Sequence, residues 1–121
     1  MRERLFRNQH IRLSSEFLRF RSGGVFEFYG LLFVLKILDA SCGVSRLGII
    51  VTKKIGNAVV RNRVRRVIRE VFRRKLQKLD QSYDYLVIAK RMIVGVPHRK
   101  VELELLNAAE TVHGRRMRSG T

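Results

Sequence analysis

The chain has 121 residues, a length that fits one domain with a single core. Hydrophobic residues make up 45% of it, which excludes a disordered basic protein. With 26 Lys and Arg against 10 Asp and Glu, the formal charge of +16 requires a polyanionic partner, either nucleic acid or an anionic membrane surface.

The first part of the chain predicts a short helix and two strands. Residues 1–11 are mostly polar, so we expect a loosely ordered segment. Over 12–21, Leu13, Phe17 and Phe20 recur at i, i+4 and i+7, which predicts one helical face. Strands are predicted over 25–29 and 31–38, and the second places Phe33, Leu35 and Ile37 on one face.

A third strand over 46–52 is apolar on both faces, which predicts a central position in a sheet. A long helix is predicted from Asn57, a good N-cap, to about residue 79. A strand over 83–89, a helix over 97–112 and a basic tail over 113–121 complete the chain. The order predicts a single α+β domain over 12–112, with an antiparallel-rich sheet packed on helices.

The charge is concentrated in the long helix and the turn before it. Residues 53–78 hold eleven basic residues and one acid, Glu70, a net +10 of the total +16. At about 100° per residue, one side of the helix carries, in angular order, Arg61, Arg65, Arg69, Asn62, Arg73 and Arg66. The like-charge i,i+4 pairs along this side destabilise an isolated helix by about 1 kcal/mol in total. The pattern therefore indicates a phosphate-binding face rather than an ordinary solvated one.

The turn KKIGNA leads into this helix. Lys53 and Lys54 leave a strand, Gly56 permits close backbone approach, and the helix start at Asn57 offers free N–H groups. This combination is typical of an anion site, although the phosphate-binding loop pattern GxxxxGK[ST] is absent.

Several other functions are disfavoured. The single cysteine, Cys42, excludes an internal disulfide, and no apolar run is long enough to span a membrane. Membrane-surface binding is also disfavoured, because the apolar arc of the helix is needed for the core. The N-terminus lacks the apolar segment of a signal peptide, so we expect a cytoplasmic protein. The ten acids form no recognisable metal cluster, so we expect no catalytic side chains in this chain.

The segment KKIGNAVVRNRVRRVIREVFRR, residues 53–74, resembles the signature of the protein component of bacterial ribonuclease P, with RNR at 61–63 as its hallmark. The resemblance spans about residues 13–112. It implies a helix-β-β-β-helix-β-helix fold of the ribosomal protein S5 domain 2 type, with a left-handed βαβ crossover. It also implies the protein subunit of a ribonucleoprotein endonuclease that removes the 5′ leader from precursor tRNA. Catalysis would belong to the RNA subunit, with Mg²⁺ held by that RNA and the substrate.

The resemblance implies two sites. A face toward the RNA subunit would be formed by Arg61, Asn62, Arg63, Arg65, Arg66 and Arg69, with Lys53, Lys54, Gly56 and Asn57 leading into it. A cleft for the single-stranded leader would be lined by Phe17, Phe20 and Phe33. The implied partners are the catalytic RNA and precursor tRNA, with no membrane and no protein partner required. Alternatives are a ribosomal-type RNA-binding protein, a DNA-binding regulator and a protein-only nuclease.

Overall fold

The computed structural model describes residues 25–39, 43–79 and 82–120, with side chains described as far as Gly114. The predicted helix over 12–21, including Phe17 and Phe20, and the cysteine at position 42 lie outside the described residues.

Four strands form one mixed sheet. They are β1 (Phe26–Tyr29), β2 (Phe33–Asp39), β3 (Arg46–Ile50) and β4 (Tyr83–Ala89), in the spatial order β1-β2-β4-β3. The β1–β2 and β2–β4 pairs are antiparallel, whereas β3 and β4 run parallel. A parallel pair needs a crossover connection, and the predicted long helix supplies it. The α+β class and the four-stranded sheet are therefore confirmed.

The prediction that β3 is central was wrong, because β3 lies at the edge of the sheet beside β4. Both of its faces are nevertheless covered. Leu47 belongs to the main core, while Ile50 packs on the other side of the sheet near Leu86. The apolar residues on both faces of β3 therefore reflect packing on both sides of the sheet and not a central place in the strand order.

The two α-helices are α1 (Ala58–Arg74) and α2 (His98–Gly120). Helix α1 ends four to five residues before the predicted position, and a 3₁₀ turn over Leu76–Lys78 continues it. Helix α2 begins beside Pro97 and runs through the segment predicted to be a basic tail. Gly114 does not end it. None of the helices in the described part of the chain has the length and apolar character needed to cross a bilayer.

The main core lies between one face of the sheet and the two helices. Helix α1 buries Val64, Ile68, Val71 and Phe72, and α2 buries Val101, Leu105, Ala108 and Val112. The spacing of apolar residues predicted Val60, Val64, Val67, Ile68 and Val71 for the buried side of α1, of which Val60 and Val67 are only partly buried. Phe72 was not predicted there, and its ring meets Tyr85 of β4 edge to face at 5.9 Å between centroids. The core therefore fixes which side of α1 points outward.

Candidate nucleic-acid interface

The turn before α1 is held by its own backbone and by one apolar anchor. The Ile55 N–H donates to the Thr52 carbonyl at 3.0 Å, and the Ile55 side chain is buried. Lys53 and Lys54 are consequently exposed on the outside of the turn. A Cβ atom at Gly56 would lie 3.0 Å from the side chain of Val60. Glycine is therefore required for close packing against the first turn of α1.

Asn57 caps the helix, as predicted. Its Oδ1 accepts the Val60 N–H at 3.0 Å, and its carbonyl accepts the Arg61 N–H at 2.9 Å. This cap satisfies one of the free N–H groups of the first turn. The Asn57 side chain thus orients the helix that carries the arginines, and its Oδ1 is already occupied.

We call the outward side of α1 the arginine face, formed by Arg61, Asn62, Arg65, Arg66 and Arg69. Asn62, Arg66 and Arg69 are exposed, and Arg61 and Arg65 are half-buried. Three of its four guanidinium groups recur at i, i+4 and i+8, so they form a row along the helix. A row of fixed, planar donors fits the regularly spaced phosphates of an RNA strand.

Arg65 is the best-oriented member of the arginine face. It donates to Asn62 Oδ1 at 3.3 Å and contacts the carbonyl oxygen of Val51 at 3.5 Å. Two neutral acceptors hold the guanidinium without neutralising its charge. Arg65 therefore presents a full positive charge in a limited set of positions.

Residue spacing predicted Arg73 on the same side of the helix as the other arginines, but its guanidinium is bound by another residue of the chain. Its guanidinium forms a two-bond ion pair with the carboxylate of Glu70, and its side chain is only 16% exposed. Arg74 Nε lies 3.4 Å from the same carboxylate. The hydrogen bond from Arg73 and the nearby positive charges lower the pKa of Glu70. The freely available part of the face thus ends at Arg69.

Arg63 is exposed but lies on a different side of the helix. At about 100° per residue it lies about 160° from Arg61 and about 60° beyond Arg66, the member of the arginine face farthest from Arg61. It borders a cavity between α1 and the start of α2. The RNR triplet therefore serves two separate surfaces.

The Phe33 ring is not exposed and cannot line the predicted leader cleft. Its side chain is 1% exposed, because β2 turns Phe33, Leu35 and Ile37 toward the helices. The residue belongs to the core and packs beside Phe28. As an accessible stacking surface, Phe33 was a wrong prediction.

The face of the sheet away from the helices, which we call the second sheet face, carries a different set of groups. Val34 and Lys36 of β2 are half-buried there, as are Ile50 and Ile88. On β1, Tyr29 is 69% exposed, and its hydroxyl donates to Glu27. The hydrogen bond to this carboxylate raises the pKa of the Tyr29 hydroxyl. Among the Phe and Tyr residues of 25–39, 43–79 and 82–114, Tyr29 is the one with an exposed ring.

Two contacts near the interface were missed by sequence reasoning. Arg91 Nε and one terminal nitrogen lie 3.4 Å from the Lys54 carbonyl, which brings a further cation to the KKIGNA turn. Asp84, the second residue of β4, is fully buried and pairs with Arg46 of β3. Neither contact has a local signal, since both join residues more than thirty-five positions apart.

Across the described segments, no three His, Cys, Asp or Glu side chains come together as a metal site. Glu70, the acid on α1 itself, is engaged by Arg73. The interface is therefore built for binding anions through guanidinium and ammonium groups.

Comparison with known proteins identifies the same architecture elsewhere. The family model Ribonuclease P matches residues 5–113. The ribonuclease P protein component of Clostridium botulinum, strain Loch Maree, is 40% identical over 77 residues, which cover 63% of this chain and 69% of the relative. A mutant RNase P protein of Staphylococcus aureus superposes with a TM-score of 0.78 at 26% identity, covering 88% of this chain and 89% of that one. The RNase P protein of Thermotoga maritima gives a TM-score of 0.71 at 30% identity, covering 81% and 92%.

Proposed function

The chain belongs to the ribonuclease P protein family, and from that premise we propose that it binds the RNA subunit of ribonuclease P through the arginine face. The observation that carries the proposal is the row formed by Arg61, Arg65 and Arg69, which runs along α1 at the edge of its buried side, with Arg69 exposed and Arg61 and Arg65 half-buried. Phosphate contacts from such a row release counterions from the RNA and reduce its self-repulsion.

We propose further that the RNA subunit supplies the catalytic groups and, with the substrate, holds Mg²⁺. The chemistry of this chain supports that division. Glu70, the described acid on α1 itself, is held in an ion pair with Arg73, so its carboxylate is not available to bind a metal ion. The protein would then act by binding and positioning RNA.

The substrate that we propose is precursor tRNA, with its single-stranded 5′ leader lying along the second sheet face. Lys36, whose Nζ lies 3.9 Å from the Glu27 carboxylate, offers a cation that an RNA phosphate would have to share with Glu27, and the exposed ring of Tyr29 offers a stacking surface. Single-stranded RNA is bound in this way, by cations along its backbone and rings against its bases. Mature tRNA has no leader, so this contact would favour substrate over product.

Reconstitution tests the proposal. Cleavage of precursor tRNA at the start of the mature sequence is measured with the RNA subunit and this protein together, and with each of them separately. We expect efficient cleavage at low Mg²⁺ only when both are present. Cleavage by the protein without RNA would overturn the division of roles, and failure to stimulate the RNA subunit would overturn the proposed function.

A further inference from the structure

A partly enclosed cavity of about 160 Å³ lies beside α1, at the position of Arg63. Apart from that one guanidinium its side chains are apolar, and the cavity is lined by Arg63, Val64, Val67, Ile93, Val96 and Val101. A cavity of roughly 150 Å³ holds one benzene ring. There is consequently room here for a single planar ring.

The cavity has one lining cation. Arg63 lies at its edge on the α1 side, while on the α2 side Val101 is flanked in sequence by the exposed Lys100 and the half-buried Glu102. Glu70 lies on the same flank of α1, but Arg73 and Arg74 hold its carboxylate. An apolar interior with a guanidinium at its edge matches a ring carried by a polyanion, with the ring inside and the guanidinium against it.

We propose that this cavity takes one unstacked nucleobase of the RNA subunit. The proposal rests on the proposed function, since it requires that RNA to be the partner. Unpaired bases in loops and bulges are recognised by insertion into apolar surfaces and by stacking on guanidinium planes. Arg63 would cover the inserted base.

This arrangement gives different roles to the two arginines of the RNR triplet, whose side chains point in different directions. Arg61 belongs to the row along the arginine face, whereas Arg63 borders the cavity about 160° away. The RNA would therefore contact two sides of α1, with phosphates on one and an inserted base on the other. Arg63 is a base-contacting residue in this arrangement.

Filling the cavity tests the proposal. Val96→Phe adds a ring at a half-buried lining position, and Val94→Phe makes the same change at an exposed position two residues earlier that does not line the cavity. We expect Val96→Phe to weaken binding of the RNA subunit by about tenfold, the loss of one base contact. The slope of log affinity against log salt should stay unchanged, because no phosphate contact is removed.

Equal affinities for Val96→Phe and Val94→Phe would overturn the proposal while leaving the proposed function intact. If wild-type protein fails to bind the RNA subunit, the proposed function falls and this inference falls with it. Unfolding midpoints of both variants are measured first, so that a loss of fold is recognised.

A second measurement needs no substitution. Base-specific chemical probing of all four nucleotides is carried out on the RNA subunit with and without wild-type protein. We expect at least one unpaired base to become protected on binding. Complexes in which only the backbone is protected, with every unpaired base as reactive as in free RNA, would overturn the proposal.

Discussion

The Arg46 guanidinium on β3 and the Asp84 carboxylate on β4 form a buried two-bond ion pair, with Nε–Oδ1 at 3.0 Å and a terminal nitrogen–Oδ2 at 2.9 Å. The two residues are partners in the parallel register of these strands. The pair therefore joins β3, which leads into α1, to β4, which follows α1. It fixes the register of these two strands, on which the position of the arginine face depends.

Removal of one partner of this pair should be strongly destabilising. Asp84→Ala leaves the Arg46 charge buried and unpaired, and we expect a loss of about 3–5 kcal/mol in the free energy of unfolding. Urea denaturation measures it. The double variant Arg46→Met/Asp84→Leu removes both charges and should recover most of the loss. A single variant within about 1 kcal/mol of wild type would show that the pair does not fix the register.

Glu70 limits the length of the arginine face, because its carboxylate holds Arg73. Glu70→Gln should release that guanidinium for a phosphate, tighten RNA binding by about 1 kcal/mol and steepen the salt slope by about one. Glu110→Gln, an exposed change on α2 with the same effect on net charge, is the matched control. Equal effects of the two variants would indicate that only net charge matters.

The stability that Glu70 contributes should depend on pH in a defined direction. Its folded pKa is lowered from 4.5 by Arg73 and the neighbouring charges. The folded state therefore binds fewer protons than the unfolded state, so the contribution is complete above pH 4.5 and is lost as the pH falls through the folded pKa. Urea midpoints of wild type and Glu70→Gln should differ at neutral pH and converge at pH values well below 4.5. A gap that persists in acid would contradict the ion-pair origin.

Tyr29 tests the leader contact on the second sheet face. Tyr29→Ala should weaken precursor tRNA binding to the reconstituted complex by about 1–3 kcal/mol, the value of one stacked base. Mature tRNA binding should not change. Tyr29→Phe keeps the ring, loses the hydrogen bond to Glu27, and should behave like wild type. If the alanine variant weakens both RNAs equally, the ring does not contact the leader.

Sequence patterns predicted those parts of the fold that have local causes. The strand over Tyr83–Ala89 and the helix start at Asn57 were placed correctly, because a short run of β-prone residues and a helix cap both act within a few residues. The burial of Phe72 was not predicted. At about 100° per residue its side chain lies between those of Arg61 and Arg65, which were expected to be exposed. Tyr85, on a strand that follows the helix in sequence, covers that position.

The candidate site likewise combines features that follow from the local sequence and features that depend on long-range contacts. The arginine row follows from residue spacing, but the occupation of Arg73 by Glu70 is a matter of side-chain geometry. Burial of Phe33 depends on which sheet face the helices cover, and the strand order that decides this arises from long-range pairing. The cavity at Arg63 needs three segments to meet, and no local pattern encodes it.

The central claim, that the arginine face binds RNA phosphates, is tested most directly by the salt dependence of RNA-subunit binding. Arg61, Arg65 and Arg69 are changed together to Gln in one variant, and the exposed Arg74, Lys75 and Lys78 are changed to Gln in a second variant of equal charge. We predict that the slope of log affinity against log salt falls by about two to three in the first variant. In the second it should change by less than about one. Equal changes in both variants would show that binding follows net charge and would contradict the account.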